Sequence, residues 1–330
     1  MEEILGLPWG RRRRAGVGRI GKLVGMVVQP GRHVVPPRSA RHIGALGQVP
    51  RPADLEEIPR YRFAHAPIAE DAFDAAVTAV DRGQRVLWVC NTVARAQTIF
   101  DRAARTGLPA TAYHSRFRYH DRVERHREVV QAFADQASDG RLAVTTQVAE
   151  MSLDLDAHLL VTELAPVPAL IQRLGRLNRR VSTSNRGEPR TALFLEPEDS
   201  LPYQSELLTS ARNWLDTLIR LGRPLSQHDL ATCFEAMEAT QPNRLDLRCE
   251  WLDSGWCAMP GPIRELSPSV TLILPEDADA CRANSMELTR RSLPMPYSRR
   301  MENWSRYKSA LLAPPDTIGY DARRGAEWAS

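Results

Sequence analysis

The chain has 330 residues, of which 43% are hydrophobic and 25% charged, and its formal net charge at pH 7 is +4. These values are typical of a globular protein with one large or two ordinary domains, and the sequence lacks the run of about 18 apolar residues that a membrane-spanning helix needs. The composition therefore favours a cytoplasmic protein, and the five cysteines, which form no C-x-x-C pair, indicate neither a disulfide framework nor a zinc site.

The first 52 residues are rich in Gly, Pro and Arg without a sustained period, so we predict a basic, irregular lead-in at 1–52. Within it, Gly16 to Lys22 fits the GxxxxGK pattern of a phosphate-binding loop. Leu23 follows where that loop needs Ser or Thr for magnesium, and Arg11 to Arg14 stand where a strand should precede. We therefore predict no phosphate-binding loop in this segment.

From Ala53 onwards, helical spacing and short apolar runs alternate, which is typical of an α/β fold with a doubly wound parallel sheet. The predicted helices of this part span 70–82, 93–106 and 119–133, and the predicted strands span 85–91, 110–113, 142–146, 159–163 and 191–195. After Pro197 the pattern becomes helical over 205–221, Ser226 to Asp229 forms a capping box that starts another helix, and an apolar strand follows at 270–274. We expect an α/β domain over 53–197 and a smaller, helix-rich domain over 198–330.

A glutamine and three arginines lie close together between the last two strands of the α/β part, where Gln172 to Arg179 reads QRLGRLNR. We predict a short helix here, on which Arg173, Arg176 and Arg179 share one face because they recur every three residues. Planar guanidinium groups suit the oxygens of a nucleotide γ-phosphate. Taken alone, this stretch is equally compatible with a solvated basic helix end.

Polar side chains also follow the predicted strands at their carboxyl ends, at Asn91–Thr92, at 113–117 and at 145–156. Short hydroxyl and amide side chains beside the free amides of helix starts can hold nucleic-acid phosphates without reading bases. A carboxylate such as Asp154 can accept hydrogen bonds from a ribose. The sequence therefore predicts a functional edge at the carboxyl ends of the strands.

Two segments along this edge resemble motifs V and VI of superfamily 2 helicases: TTQVAEMSLDLD (145–156) and QRLGRLNRR (172–180). Two further segments on the same edge are NTVARAQ (91–97) and YHSRF (113–117). Together they closely resemble the second RecA-like domain of the CRISPR-associated helicase-nuclease of type I systems. The segments VTLILPED, SLPMP and YDARRGAEW resemble that family's C-terminal domain. Met151 stands where the family usually has glutamine, and Asn178–Arg180 where it usually ends His-Arg-His.

The resemblance implies roles for particular residues. Single-stranded DNA would be contacted by Thr92, Ser115, Arg116, Thr146 and Gln147. Nucleotide binding and its coupling to DNA would involve Glu150, Asp154 and Gln172. The catalytic arginines that face the triphosphate would be Arg176 and Arg179.

The resemblance also implies ATP with Mg²⁺ as cofactor and single-stranded DNA as partner, with translocation from 3′ to 5′. The P-loop, the DEAH-like magnesium box and the HD nuclease are expected from an N-terminal half, and a Cascade-like surveillance complex is the expected assembly. We therefore predict a protein that hydrolyses ATP only as part of a complete helicase.

No metal site is predicted within the chain. The His-Asp dipeptides at 120–121 and 228–229 lack the further ligands that a metal site requires, and His114, His120 and His126 are interpreted as surface histidines.

Two alternatives stay open. The chain can be a nonenzymatic remnant that binds DNA or a Cascade-like complex, or a fragment of another superfamily 2 helicase.

Overall fold

The computed structural model describes residues 52–134, 139–151, 153–240, 250–251, 257–258 and 269–329. The predicted lead-in and the GxxxxGK segment lie outside the described residues, apart from Pro52. Among the described residues, no helix has the length and apolar character needed to cross a membrane.

A six-stranded, fully parallel sheet organises the region between residues 61 and 195. Its strands are β1 (Tyr61–His65), β2 (Arg85–Val89), β3 (Ala110–Tyr113), β4 (Arg141–Thr145), β5 (Leu159–Glu163) and β6 (Arg190–Leu195). They lie in the order β1-β6-β5-β2-β4-β3. This arrangement confirms the predicted α/β fold with a doubly wound sheet, although the sequence did not indicate the edge strand β1.

The central strand β2 shows why the sheet is buried on both faces. Val86 and Trp88 pack into the core on one side, whereas Leu87 and Val89 pack into the core on the other. Successive side chains of a strand point to opposite faces, so a strand that is apolar throughout requires cover on both sides. Burial of each such side chain stabilises the fold by about 1.5–3 kcal/mol.

Helices supply this cover, and at some of them a side-chain hydrogen bond caps the first turn. The helices are α1 (Pro52–Glu56), α2 (Ala69–Asp81), α3 (Val93–Arg105), α4 (Tyr119–Ala132), α5 (Val167–Leu174), α6 (Ser205–Ile219), α7 (Gln227–Thr240), α8 (Ala278–Ala283) and α9 (Ser285–Arg291). Thr92 caps α3 by accepting a hydrogen bond from the backbone N–H of Arg95. The predicted capping box of α7 is confirmed, because Ser226 and Asp229 exchange backbone and side-chain hydrogen bonds.

The C-terminal part contains a second, smaller sheet and hairpins. The described strands are β7 (Glu250–Trp251), β8 (Cys257–Ala258), β9 (Ser269–Ile273), β10 (Leu293–Pro296), β11 (Arg306–Tyr307), β12 (Ala310–Leu312), β13 (Ile318–Asp321) and β14 (Gly325–Trp328). Strands β10, β9, β12 and β11 form a four-stranded sheet, and β13 pairs with β14. The sequence indicated only β9 of these strands, and the predicted domain boundaries at 52/53 and 197/198 stay predictions.

Candidate functional site

The carboxyl ends of β2, β3, β4 and β5 meet at one edge of the sheet, since all the strands are parallel. The loops that leave these ends contain the predicted DNA-binding and nucleotide-binding residues up to Asp154. The loop that follows α5 completes the edge. In open α/β sheets, ligands bind in crevices outside the carboxyl ends of the strands.

The predicted DNA-binding residues differ in how much of each faces solvent. Thr92, Ser115, Arg116 and Gln147 are partly exposed, whereas Thr146 is almost fully buried. Gln147 is already engaged, because its Nε2 donates to the backbone oxygen of Asn91 at 2.7 Å and to the hydroxyl of Tyr203 at 3.3 Å. The threonine that caps α3 lies at a helix N-terminus, where free backbone amides favour an anion.

The prediction that three arginines share the face of one helix is wrong. The helix α5 ends at Leu174, Gly175 caps it, and Asn178 adopts a left-handed backbone with φ of 52°. Only Arg173 therefore lies on the helix, while Arg176 and Arg179 lie on the turn beyond it. Asn178 stabilises this turn by donating to the backbone oxygens of Arg60 and Glu188.

Arg173 points into the protein and is completely buried. Its acceptors are Glu150 Oε1 (2.9 Å), Thr162 Oγ1 (2.9 Å), the backbone oxygen of Glu163 (3.0 Å), Asn91 Oδ1 (3.2 Å) and the hydroxyl of Tyr203 (3.2 Å). A guanidinium has five N–H donors, and five acceptors surround this one. Arg173 is thus a structural centre and not a ligand of phosphate.

We call the residues that surround this arginine the Arg173 network. Its members are Asn91, Gln147, Glu150, Thr162, Glu163, Arg173 and Tyr203. The network joins the ends of β2, β4 and β5 to α5 and to the segment before α6. The sequence showed one signal for it, a glutamate at the end of an otherwise apolar strand, but no pattern indicated Tyr203.

Glu163 is the buried carboxylate of the network. It accepts a hydrogen bond from the backbone N–H of Asn91 at 2.6 Å and lies 3.4 Å from Arg95 Nε. Burial raises the pKa of this carboxyl group, and the contacts with Asn91, Arg95 and Arg173 oppose that rise. Arg95 also pairs with Glu198, with Nη1 and Oε1 2.5 Å apart. Ion pairs therefore extend the network towards the surface.

Arg176 and Arg179 remain partly open to solvent on the turn after α5. Arg176 donates from Nε to the backbone oxygen of Ala149 and from Nη2 to that of Glu150, both at 3.0 Å. Among the described residues, no carboxylate forms an ion pair with it. Arg179 pairs with Asp154 at 3.0 Å, but 42% of the arginine side chain and 71% of the aspartate side chain are exposed.

This geometry leaves both guanidinium groups available to an anion. A surface ion pair contributes about 0–1 kcal/mol, so a phosphate can replace Asp154 as the partner of Arg179 at little cost. The backbone N–H of Arg179 donates to the buried Asp156 at 2.8 Å, which holds the turn while the side chain stays accessible. Gln172 is also exposed, one residue before the buried Arg173. The exposed side chains of this turn can therefore donate hydrogen bonds to a polyphosphate.

The interpretation of His114 as a surface histidine is wrong. Its ring is completely buried, is stacked on Phe117 with centroids 4.5 Å apart, and bonds through Nε2 to the backbone oxygen of Arg324 at 3.0 Å. His120 and His126 are partly exposed, as predicted. No group of three or more His, Cys, Asp or Glu that could hold a metal occurs among the described residues.

Acidification is expected to destabilise the protein through His114. Burial first, and then Arg116 and Arg324, lower the pKa of this imidazole from 6.5 to about 3, and the hydrogen bond to Arg324 opposes them. As the pH falls, the unfolded chain therefore binds the proton at His114 before the folded chain does. The contribution of His114 to stability is complete above pH 6.5 and is lost as the pH falls towards 3. The free energy of unfolding should decrease by up to about 1.4 kcal/mol per pH unit in this window.

Urea unfolding at a series of pH values, with wild type and His114→Gln, measures this contribution. His158, whose pKa burial lowers to about 4, acts in the same direction in both proteins. The difference between the two curves isolates His114, and a difference that does not vary with pH would show that the buried ring is not the cause.

The six-stranded parallel sheet, with its loops at the carboxyl ends of the strands, is the arrangement of a RecA-like α/β domain. The family described as "CRISPR-associated nuclease/helicase Cas3, C-terminal" matches residues 82–182. A CRISPR-associated nuclease/helicase Cas3 from Myxococcus xanthus is 44% identical over 298 residues, which are 87% of this chain and 38% of that relative. The chain belongs to the Cas3 family and corresponds to its C-terminal region.

Solved structures agree with this assignment at the level of the fold. T. fusca Cas3 with ADP superposes with a TM-score of 0.58 at 19% identity, over 82% of this chain and 43% of that one. A chain of a CRISPR RNA-guided surveillance complex, pre-nicking, superposes with a TM-score of 0.54 at 18% identity, over 82% of this chain and 44% of that one. The chain thus spans less than half the length of each of these proteins.

Proposed function

We propose that this chain supplies the second RecA-like half of an ATP-dependent translocase of single-stranded DNA in type I CRISPR interference. The observation that carries the proposal is the pair Arg176 and Arg179, which lie partly exposed and anchored at the sheet edge that also contains the predicted DNA-binding residues. Membership of the Cas3 family supports the biological setting.

In this proposal, ATP binds between this sheet edge and a partner RecA-like domain that provides the P-loop. Arg176 and Arg179 would then neutralise the charge that develops on the transferred γ-phosphoryl group. Mg²⁺, which we expect the partner half to hold, would help to neutralise the charge of the phosphates. Gln172, Glu150 and Asp154 would lie around the same nucleotide, as the predicted nucleotide-binding residues.

The Arg173 network offers a physical route between nucleotide and DNA. Glu150 contacts Arg173 through its side chain and Arg176 through its backbone oxygen. Gln147, three residues earlier, bonds to the backbone of Asn91, which directly precedes Thr92. A shift of the arginine turn on hydrolysis would therefore move the loops that are predicted to hold DNA phosphates.

For the DNA itself, the helix start at Thr92 and the loop with Ser115 and Arg116 favour contacts with the phosphate backbone. Such contacts are tolerant of sequence and weaken steeply as salt increases. We also propose, from the surveillance-complex structure that contains a similar chain, that a Cascade-like complex is the assembly in which this DNA is presented.

The chain by itself is expected to show no appreciable ATP hydrolysis, with or without DNA. The arginine side of the site cannot position a γ-phosphate without the lysine and magnesium ligands of the partner half. Adding the remaining part of the Myxococcus xanthus relative, which lies outside the matched region, should restore DNA-stimulated turnover. A phosphate-release assay measures both states.

Magnesium-dependent, DNA-stimulated turnover by the purified chain alone would refute the requirement for a partner. DNA binding without turnover in every combination would instead support a nonenzymatic binding role.

A further inference from the structure

The hairpin β13–β14 packs against the loop that follows β3, although about 200 residues separate them in sequence. Gln97, on α3 and almost fully buried, donates from Nε2 to the backbone oxygens of Arg324 and Ala326, each at 3.1 Å. Arg324 in turn pairs with Asp101 on the same helix at 2.9 Å. The hairpin is thereby fixed to α3.

The same hairpin holds the backbone of Arg116 on both sides. Ala326 donates its N–H to the backbone oxygen of Arg116 at 2.8 Å. The N–H of Arg116 donates to His114 Nδ1 at 3.2 Å, and His114 Nε2 donates to the backbone oxygen of Arg324 at 3.0 Å. The backbone N–H and the backbone oxygen of Arg116 are therefore both held by contacts that depend on the hairpin.

Further contacts continue along the loop into α4. Tyr320 accepts a hydrogen bond from the backbone N–H of Arg118 at 3.2 Å and donates to Asp121. The guanidinium of Arg118 lies 4.3 Å from the centre of the Tyr320 ring and pairs with the buried Asp277. The backbone of the loop that contains Ser115 and Arg116 is thus held by the C-terminal part, while both side chains stay partly exposed.

Gly325 makes this close approach possible. Its φ of 86° lies in the left-handed region, and a Cβ atom there would overlap His114 Cε1 and come within 2.8 Å of the backbone oxygen of Arg116. Any other residue must push the hairpin away from the loop.

We propose that the β13–β14 hairpin positions Arg116 for contact with single-stranded DNA, with Gln97, His114 and Gly325 as the positioning residues. This inference rests on the proposed function, in which Arg116 contacts DNA. A loop that is held before binding does not lose conformational entropy when it binds, so its contact with a phosphate is stronger. A hairpin that served only as scaffold would affect stability but not DNA affinity per folded molecule.

The test compares two glycine substitutions within one hairpin. In Gly325→Ala, the added methyl group displaces the hairpin from His114 and Arg116. In Gly319→Ala, it meets only Glu327 Cγ at 3.8 Å, so this variant is the matched control. Affinity is measured with the full chain by fluorescence anisotropy of a labelled single-stranded oligothymidine at several salt concentrations, and the folded fraction by thermal melting.

We expect Gly325→Ala to weaken binding about tenfold, as Arg116→Ala does, because each removes one charged contact with phosphate. The slope of log affinity against log salt concentration should become less steep in both variants, by the amount that one phosphate contact contributes. Gly319→Ala should bind as wild type does. In Arg116→Ala/Gly325→Ala, the second substitution should add no further loss, since both act on the same contact.

Additive effects in the double variant, or wild-type affinity of Gly325→Ala, would overturn the positioning role. Wild-type affinity of Arg116→Ala would instead remove the DNA contact from the proposed function, and the positioning role with it. If Gly325→Ala does not fold, Gln97→Met, which removes two donors without adding bulk at the hairpin, takes its place in the same comparison.

Discussion

Replacing Arg176 or Arg179 with lysine is expected to reduce ATP turnover of the complemented enzyme by about a thousandfold while the protein stays folded. Arginine fingers contribute roughly three to five orders of magnitude to γ-phosphoryl transfer. Lysine keeps the positive charge but loses the planar fork that binds two oxygens at once. Because Arg179 makes one exposed ion pair and Arg176 bonds two backbone oxygens, neither change should unfold the domain.

The measurement is DNA-stimulated phosphate release by each variant in the presence of the P-loop half, together with its melting temperature and its DNA affinity. Arg186→Lys is the matched control, because Arg186 is an exposed arginine on the loop between the same helix and β6. A large drop in melting temperature with turnover per folded molecule preserved would assign Arg176 or Arg179 to the scaffold.

Arg173→Met is expected to have the opposite signature, a loss of the fold and not a specific loss of chemistry. The change leaves the Glu150 carboxylate and the oxygens of Asn91 and Thr162 without their charged donor. Removal of one partner from a buried, hydrogen-bonded ion pair costs about 3–5 kcal/mol, and we expect the lower end of that range because the Glu150 side chain is 13% exposed. Since a domain is stable by only about 5–15 kcal/mol, much of the protein would unfold at moderate temperature.

Urea unfolding of Arg173→Met and of Arg179→Met measures this difference. Both substitutions replace an arginine of the same motif with the same apolar side chain, but Arg179 is exposed and should contribute no more than about 1 kcal/mol. Equal, small losses in the two variants would mean that the Arg173 network does not stabilise the domain.

Several features of the protein followed from the sequence because they depend on local chemistry. The apolar strand at 85–91, the helix that starts after Thr92 and the capping box at Ser226 and Asp229 are properties of short segments, and the structure confirms them. The edge strand β1 was not predicted, since its sequence YRFAH is no apolar run and only Tyr61 in it is buried.

The candidate site divides in the same way. Its motifs and their order along the chain are written in the sequence, and they determined the class of protein. The sequence could not show that Arg173 turns inward while Arg176 and Arg179 stay at the surface, because the three-residue spacing assumes a helix that in fact ends at Leu174. Nor could it show that the hairpin at Gly325 closes on His114 and Arg116. Both arrangements are decided by burial and by hydrogen bonds between distant segments, which exist only once the chain has folded.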